Sequence, residues 1–155
     1  MKASEVPVPC ACTTVRRGAR VLARAYDASL ARSGMNVTQL AVMRAILRHP
    51  NEPLTRTAND LAMDRSSLYR ALASLQRKKW VRLKDAGDAR SHSASVTEAG
   101  HVVLTKADAA WARTQTGIVN CFGYPRWKAF VLELQRLIEC ANTVAANQSV
   151  VEAKL

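Results

Sequence analysis

Apolar residues recur along this chain about every three to four positions, a period that predicts helices over most of its length. From about Cys12 to Arg32 the positions Val15, Ala19, Leu22, Tyr26 and Leu30 form one stripe, with Arg16, Arg17, Arg20 and Arg24 among the others. Gly34 ends this helix. Asn36 starts the next, with Gln39 three residues on in the spacing of a capping box. Leu40, Met43, Ile46 and Leu47 are its apolar positions, and His49-Pro50 ends it because proline cannot continue a helix. Thr55 reads as the cap of a short third helix reaching Leu61. Asp64 caps a fourth, in which Leu68, Leu72 and Leu75 make the inward stripe, with Ala62-Met63 as the turn between the two.

The period changes after Lys79. Trp80 to Lys84 alternates as a strand does, Ser93 to Val96 is its partner, and Asp85-Ala86-Gly87-Asp88 has the residues of a reversal. Thr97 caps a long fifth helix through about Val119, with Val102, Val103, Ala107, Trp111 and Ile118 among its apolar positions. Tyr124-Pro125 opens the last helix, proline being tolerated at the first position. Its stripe is Trp127, Phe130, Val131, Leu134, Leu137, Ile138, Ala141, Val144 and Ala145. The expected fold is therefore mainly α with a small β-hairpin: the third and fourth helices make a helix-turn-helix and the hairpin is its wing.

Charge gives this architecture a direction. The chain has 155 residues with 23 Lys and Arg against 12 Asp and Glu, a net charge of +11. A field of that sign attracts polyanions. Between Asp64 and Arg90 the basic residues are Arg65, Arg70, Arg77, Lys78, Lys79, Arg82, Lys84 and Arg90, against Asp64, Asp85 and Asp88. A charge run is commonly a solvated face, but this one occupies the two elements that would meet a duplex. Arg65, Ser66 and Ser67 in the first turn of the fourth helix, then Tyr69 and Arg70, avoid the Leu68 stripe and can face a major groove. Arginine there can be bidentate to guanine, serine and tyrosine can bind bases or phosphates, and a helix N-terminus favours phosphate. Lys84 adds a cation on the hairpin. Arg77, Lys78 and Lys79 complement the far end of the helix dipole. Asp88 and Arg90, two apart on a strand, share a side. Their pairing would aim the guanidinium at a minor groove or a phosphate, where the plainer reading is a surface ion pair of about 0–1 kcal/mol.

Asp88-x-Arg90, then Val96-Thr97, then Gly100 resembles the signature that closes the wing of MarR-type (multiple-antibiotic-resistance) regulators. Met63 to Arg70 is similar to that family's recognition helix, and Trp80-Val81-Arg82 to its strand entry. The resemblance in element order covers roughly residues 12–147. It departs at Lys79-Trp80, where a glycine followed by an aliphatic residue is common, and at the short segment Leu54–Leu61. The resemblance implies a homodimeric transcription factor, usually a repressor, on a palindromic operator in double-stranded DNA. It divides the chain into a flexible arm (1–11), dimerisation helices (12–35 and 98–147), a winged helix-turn-helix lobe (36–97) and a C-terminal tail (148–155). It also implies release by a small aromatic effector or an oxidant. Tyr26, Met43, His49 and Trp111 are of the type that lines an effector pocket, but such residues at helical spacing are more often core.

Cys10 and Cys12 stand just before the first helix, beside Arg16 and Arg17. A helix N-terminus and nearby arginines both stabilise thiolate, which favours oxidation. Two readings stay open: a redox switch, or small residues tucked into a subunit interface. A bond between the two is a strained small ring, and one to Cys121 or Cys140 is easier to form. Cys140 lies near the last helical stripe and reads as a packed thiol. His49, His92 and His101 lack metal spacing, so no metal or cofactor is expected. No GxSxG, HExxH, Walker or dinucleotide motif is present, and an enzyme is not expected. With no run of about 18 apolar residues and no apolar segment of signal-peptide length, a cytoplasmic protein without membrane association is expected. The alternative to a regulator is a non-catalytic helical adaptor that binds acidic partners without sequence selectivity.

Overall fold

The computed structural model describes residues 8–85 and 92–152, and the chain falls into two compact units, 1–114 and 115–155. In order the elements are α1 (Ala11–Leu30), a single 3-10 turn (Ala31–Ser33), α2 (Val37–Arg48), α3 (Leu54–Asp60), α4 (Arg65–Arg77), β1 (Val81–Asp85), β2 (His92–Val96), α5 (Glu98–Phe122) and α6 (Tyr124–Glu152). This is a winged helix-turn-helix architecture.

The helix starts follow the local capping chemistry. Asn36 and Gln39 form the full capping box: the Asn36 side chain accepts from the Gln39 N–H at 2.8 Å, and the Gln39 carbonyl oxygen from the Asn36 N–H at 3.2 Å. Gln39 is buried and also donates to Ser74 Oγ of α4 at 3.0 Å, so one amide serves α2's end and its packing. Asp27 of α1, which the sequence did not single out, accepts from the Val37 N–H at 2.7 Å and ties α1 to α2. At the other end of the turn Gly34 adopts φ 70°, the left-handed state that stops the helix.

The core of the first unit is built from Leu30, Met35, Leu40, Val42, Met43, Ile46, Leu54, Leu68, Leu72, Leu75, Val81 and Leu104, all nearly solvent-free. Each such side chain stabilises the fold by roughly 1.5–3 kcal/mol relative to exposure. Several expected positions are corrected. Thr55 does not cap α3; Pro53 precedes it, with no side-chain cap, and Thr55 lies within the helix. Leu47 is exposed, and Val42 and Ala45 are buried in its stead, because the core meets α2 on a face rotated from the one read. Val102 is exposed on α5 while Leu104, Ala107 and Ala110 turn inward.

β1 and β2 pair antiparallel in the register Val81↔Val96 through Asp85↔His92, and Pro53 adds an isolated bridge to Ser93. The strand begins at Val81 rather than Trp80, because Trp80 completes the end of α4. Its N–H reaches the Leu75 carbonyl at 3.0 Å and the Lys79 N–H reaches Gln76 at 2.8 Å. This pair of hydrogen bonds closes a helix through a left-handed residue, here Lys79 at φ 60°. The Trp80 carbonyl then accepts the Thr97 N–H at 3.0 Å, and Thr97 Oγ1 caps α5 by accepting from the Gly100 N–H at 3.0 Å. Gly100 is required here: a Cβ on it would lie 2.2 Å from the Trp80 carbonyl oxygen and 2.7 Å from Val96 Cγ1.

In the second unit, Gly123 at φ 93° separates the end of α5 from α6, and Pro125 sits within the first turn of α6 as its second residue. Phe130 packs at 6.1 Å from Phe122 and 6.0 Å from Trp127, ring to ring. The stripe of α6 is only partly covered: Trp127, Val131 and Leu134 are half-buried, while Leu137, Ile138 and Val144 are exposed. Cys140 is exposed, not a packed thiol, because the stretch 135–148 of α6 is exposed throughout. At the chain ends, helix begins at Ala11, inside the expected arm, and continues to Glu152, inside the expected tail. Among the described residues no helix is long and apolar enough to cross a membrane.

Two substitutions test the α4–β1–α5 junction. Gly100→Ala should destabilise the protein by about 2–3 kcal/mol in urea unfolding, since the Trp80 carbonyl is backbone held by the Thr97 N–H and cannot move aside. Lys79→Gly should stabilise it by about 0.5–1 kcal/mol by relieving the left-handed backbone cost.

Candidate nucleic-acid interface

α4 presents two unlike faces. Leu68, Leu72 and Leu75 are sealed in the core, while Arg65, Ser66 and Arg70 are exposed and Ser67 and Tyr69 are half-buried. That split follows from helical spacing, and it brings five of the expected site residues onto one surface. On β1, Arg82 and Lys84 are exposed on the face opposite Val81 and Leu83. Asp88 and Arg90, expected at the wing tip, lie outside the described residues.

The start of α4 is organised by Asp64. Its carboxylate accepts from the Ser67 N–H at 2.8 Å, from Ser66 Oγ at 2.6 Å and from Ser67 Oγ at 2.7 Å. Donation from the Ser66 hydroxyl, then from Ser67, holds the Asp64 carboxyl well below the usual carboxylate range. The Asp64 carboxylate thus caps the Ser67 N–H at the start of the helix. The Ser66 and Ser67 hydroxyls both direct their hydrogen bonds at Asp64 and keep only lone pairs for another partner. Arg70 Nη2 donates to Ser67 Oγ at 3.0 Å, and the Arg65 guanidinium lies 5.6 Å from the Tyr69 ring centre.

Of the cations at the far end of α4, Lys78 is committed. Its ammonium donates to the Gly34 carbonyl and lies 4.5 Å from the centre of the Trp80 ring. Arg77 and Lys79 are exposed. Beside α4, an open groove of about 500 Å³ is lined by Pro53, Leu54, Met63, Arg65, Tyr69 and His92, among others.

Several polar residues that sequence reasoning passed over hold this surface in place. Arg44 of α2 pairs with Asp108 of α5 at 2.6 Å, and its guanidinium stacks 4.0 Å from the Trp111 ring centre. Arg48 pairs with Asp60 of α3 at 2.6 Å, and that hydrogen bond is the main reason the Asp60 carboxyl lies below its ordinary value. His49 lies 3.5 Å from both Glu52 and Asp60. These partners are 64 and 12 residues apart for Arg44 and Arg48, so no local pattern announces them. Met43 is fully buried, His49 lies against two carboxylates and Trp111 stacks on Arg44, so all three are engaged in packing and polar contacts.

Cys10 occupies the N-cap position of α1 and, like Cys12, is exposed and unbridged. The backbone N–H and hydroxyl of Thr13 lower the Cys10 thiol pKa from its ordinary value without forming a full side-chain cap. Among the described residues no cluster of His, Cys, Asp and Glu could hold a metal ion.

The depressed Asp64 carboxyl carries a sign for stability. Its contribution is fully present above the unfolded carboxylate value near pH ~4 and is lost as pH falls through the lower folded value. Asp64→Ala should therefore flatten the acid limb of the stability–pH curve below about pH 4, read by thermal unfolding.

Residues 39–85 match the family model of the IclR helix-turn-helix domain. No curated protein sequence matches the chain. Among solved structures, the transcriptional regulator MosR of M. tuberculosis in complex with DNA is 30% identical, with a TM-score of 0.75 over 86% of this chain and 98% of that one. A structure described as a MarR family transcription regulator is 21% identical, with a TM-score of 0.70 over 87% and 90% of the two chains. The PcaV regulator of Streptomyces coelicolor with its natural ligand shares the fold at 18% identity and a TM-score of 0.77, covering 91% and 99%. Identity and coverage with the first, and the shared order of helices and wing, place the chain: it belongs to the MarR family of winged helix-turn-helix transcriptional regulators.

Proposed function

We propose that the protein is a homodimeric repressor that binds a palindromic double-stranded operator and releases it on binding a small aromatic effector or on oxidation of Cys10 and Cys12. The observation that carries the DNA-binding part is the division of α4, whose leucines face inward while Arg65, Ser66, Tyr69 and Arg70 form a basic outer face. Arg65, Ser66, Ser67, Tyr69 and Arg70 would enter the major groove. Lys84 on β1, with Asp88 and Arg90 beyond it, would serve the backbone and the flanking minor groove. MosR crystallised with DNA supports the assignment.

The dimer reading rests on apolar surface that the single chain leaves uncovered. In the first unit Val15, Val21 and Leu22 of α1 are exposed. In the second, Phe122, Phe130, Leu137, Ile138 and Val144 are exposed. A twofold partner would cover such faces, as self-association of one patch requires. Residues 12–35 and 98–147 would then dimerise and 36–97 would bind DNA. Regulation by oxidation is supported by the exposed Cys10 thiol and its lowered pKa. PcaV, which shares the fold, was crystallised in complex with its natural ligand, in keeping with a small-molecule effector.

Gel-shift titration on the DNA upstream of the coding region should show selective binding that weakens steeply with salt. Arg65→Ala or Arg70→Ala should cost about 1–3 kcal/mol of that binding if either reads a base. Equal, non-selective binding to every duplex would instead favour the helical adaptor. Hydroperoxide should release the wild-type complex reversibly with reductant, and Cys10→Ser with Cys12→Ser should abolish that response; a double variant still released by oxidant would remove the redox part alone. Sedimentation should give twice the monomer mass.

A further inference from the structure

Asp64, Ser67 and Arg70 form a chain of hydrogen bonds whose polarity has no freedom. A carboxylate only accepts, so the Ser67 hydroxyl must spend its one proton on Asp64 Oδ2, at 2.7 Å. The Ser67 oxygen is then left with lone pairs alone, and Arg70 Nη2 donates to it at 3.0 Å. Asp64 Oδ1 is taken up by Ser66 Oγ and the Ser67 N–H, so the carboxylate is anchored from three donors before Arg70 is reached. Neighbouring hydrogen bonds in such a chain polarise one another. The guanidinium gives up one of its five N–H donors and keeps its fork for another partner.

Resting on the DNA-binding reading above, we infer that Ser67 is a specificity-determining residue that acts through Arg70: the Asp64–Ser67–Arg70 chain sets the direction of the guanidinium before DNA arrives. An arginine held in one direction meets one base pair in register. A freely rotating arginine reaches several bases and the phosphates, and so adds affinity with little sequence preference. Ser67 is thus a positioning residue, and the low carboxyl pKa of Asp64 keeps the anchor charged throughout the neutral range.

The test uses the full chain with Ser67→Ala, Ser67→Thr, Asp64→Asn and Arg70→Ala. Ser67→Ala keeps the backbone N–H that Asp64 caps, and asparagine is as good an N-cap as aspartate, so the helix start is retained in both. Without DNA, the Arg70 guanidinium should show slowed rotation by NMR in the wild type and in Ser67→Thr, and free rotation in Ser67→Ala. With DNA, affinities are measured for the selectively bound upstream duplex and a set of its single-base-pair variants. Arg70→Ala should flatten the preference at one base-pair position, Ser67→Ala should weaken the preference at that same position about fivefold or more, and Ser67→Thr should restore it. Free Arg70 rotation in the wild type overturns the inference while leaving DNA binding standing. So does a base preference that Arg70→Ala erases and Ser67→Ala leaves intact. A wild type that prefers no duplex overturns the regulator reading, and this inference with it.

Discussion

The Trp80 carbonyl is the point on which the DNA-binding lobe is assembled. It sits where α4 ends, where β1 begins and where α5 starts, and it accepts the Thr97 N–H at 3.0 Å. Gly100 passes so close that a single added carbon would lie 2.2 Å from it. A backbone oxygen cannot move aside as a side chain can, so this approach fixes three elements relative to one another. The hydrogen bonds around it, Trp80 to Leu75 and Thr97 to Lys79, are local consequences of the same close passage. The outer face of α4 inherits its orientation from this junction and from the leucines behind it.

That orientation is reinforced from the opposite side. Gln39 links the start of α2 to Ser74 of α4, Lys78 links the end of α4 to the Gly34 carbonyl after α1, and Asp27 links α1 to the first N–H of α2. α1, α2 and α4 are therefore joined by polar contacts as well as by the core.

Much of the fold was legible because its signals are local. The Asn36–Gln39 box, the Asp64 cap, the Thr97 cap and the arrest at Gly34 each depend on residues within about four positions of one another, which a sequence displays directly. The leucine stripe of α4 was legible for the same reason. α2 and α5 were read less well: Leu47 and Val102 proved exposed, and Val42 and Leu104 buried. Period alone defines a face but not its centre, and the neighbours that decide the centre come from elsewhere in the chain. The candidate site was legible as a list of outward residues on α4 and β1. What those residues do to one another, Ser66 and Ser67 both donating to Asp64, was not, because a hydroxyl at a helix start serves its cap or a ligand equally well.

Sequence by itself determined the caps of α2, α4 and α5, the helix and strand order, the inward leucines of α4 and the placing of positive charge on α4 and β1, since each follows from spacing and residue type along one element. It also marked Gly100 and Lys79 as notable without supplying the reason. Tertiary structure alone decided that Gly100 must lack a side chain against the Trp80 carbonyl, and that Lys79 is held left-handed at the end of α4. It likewise decided that Arg44 finds Asp108 and Trp111 across the lobe. These depend on groups brought together by the packing of separate elements, a distance that no local pattern in the chain encodes.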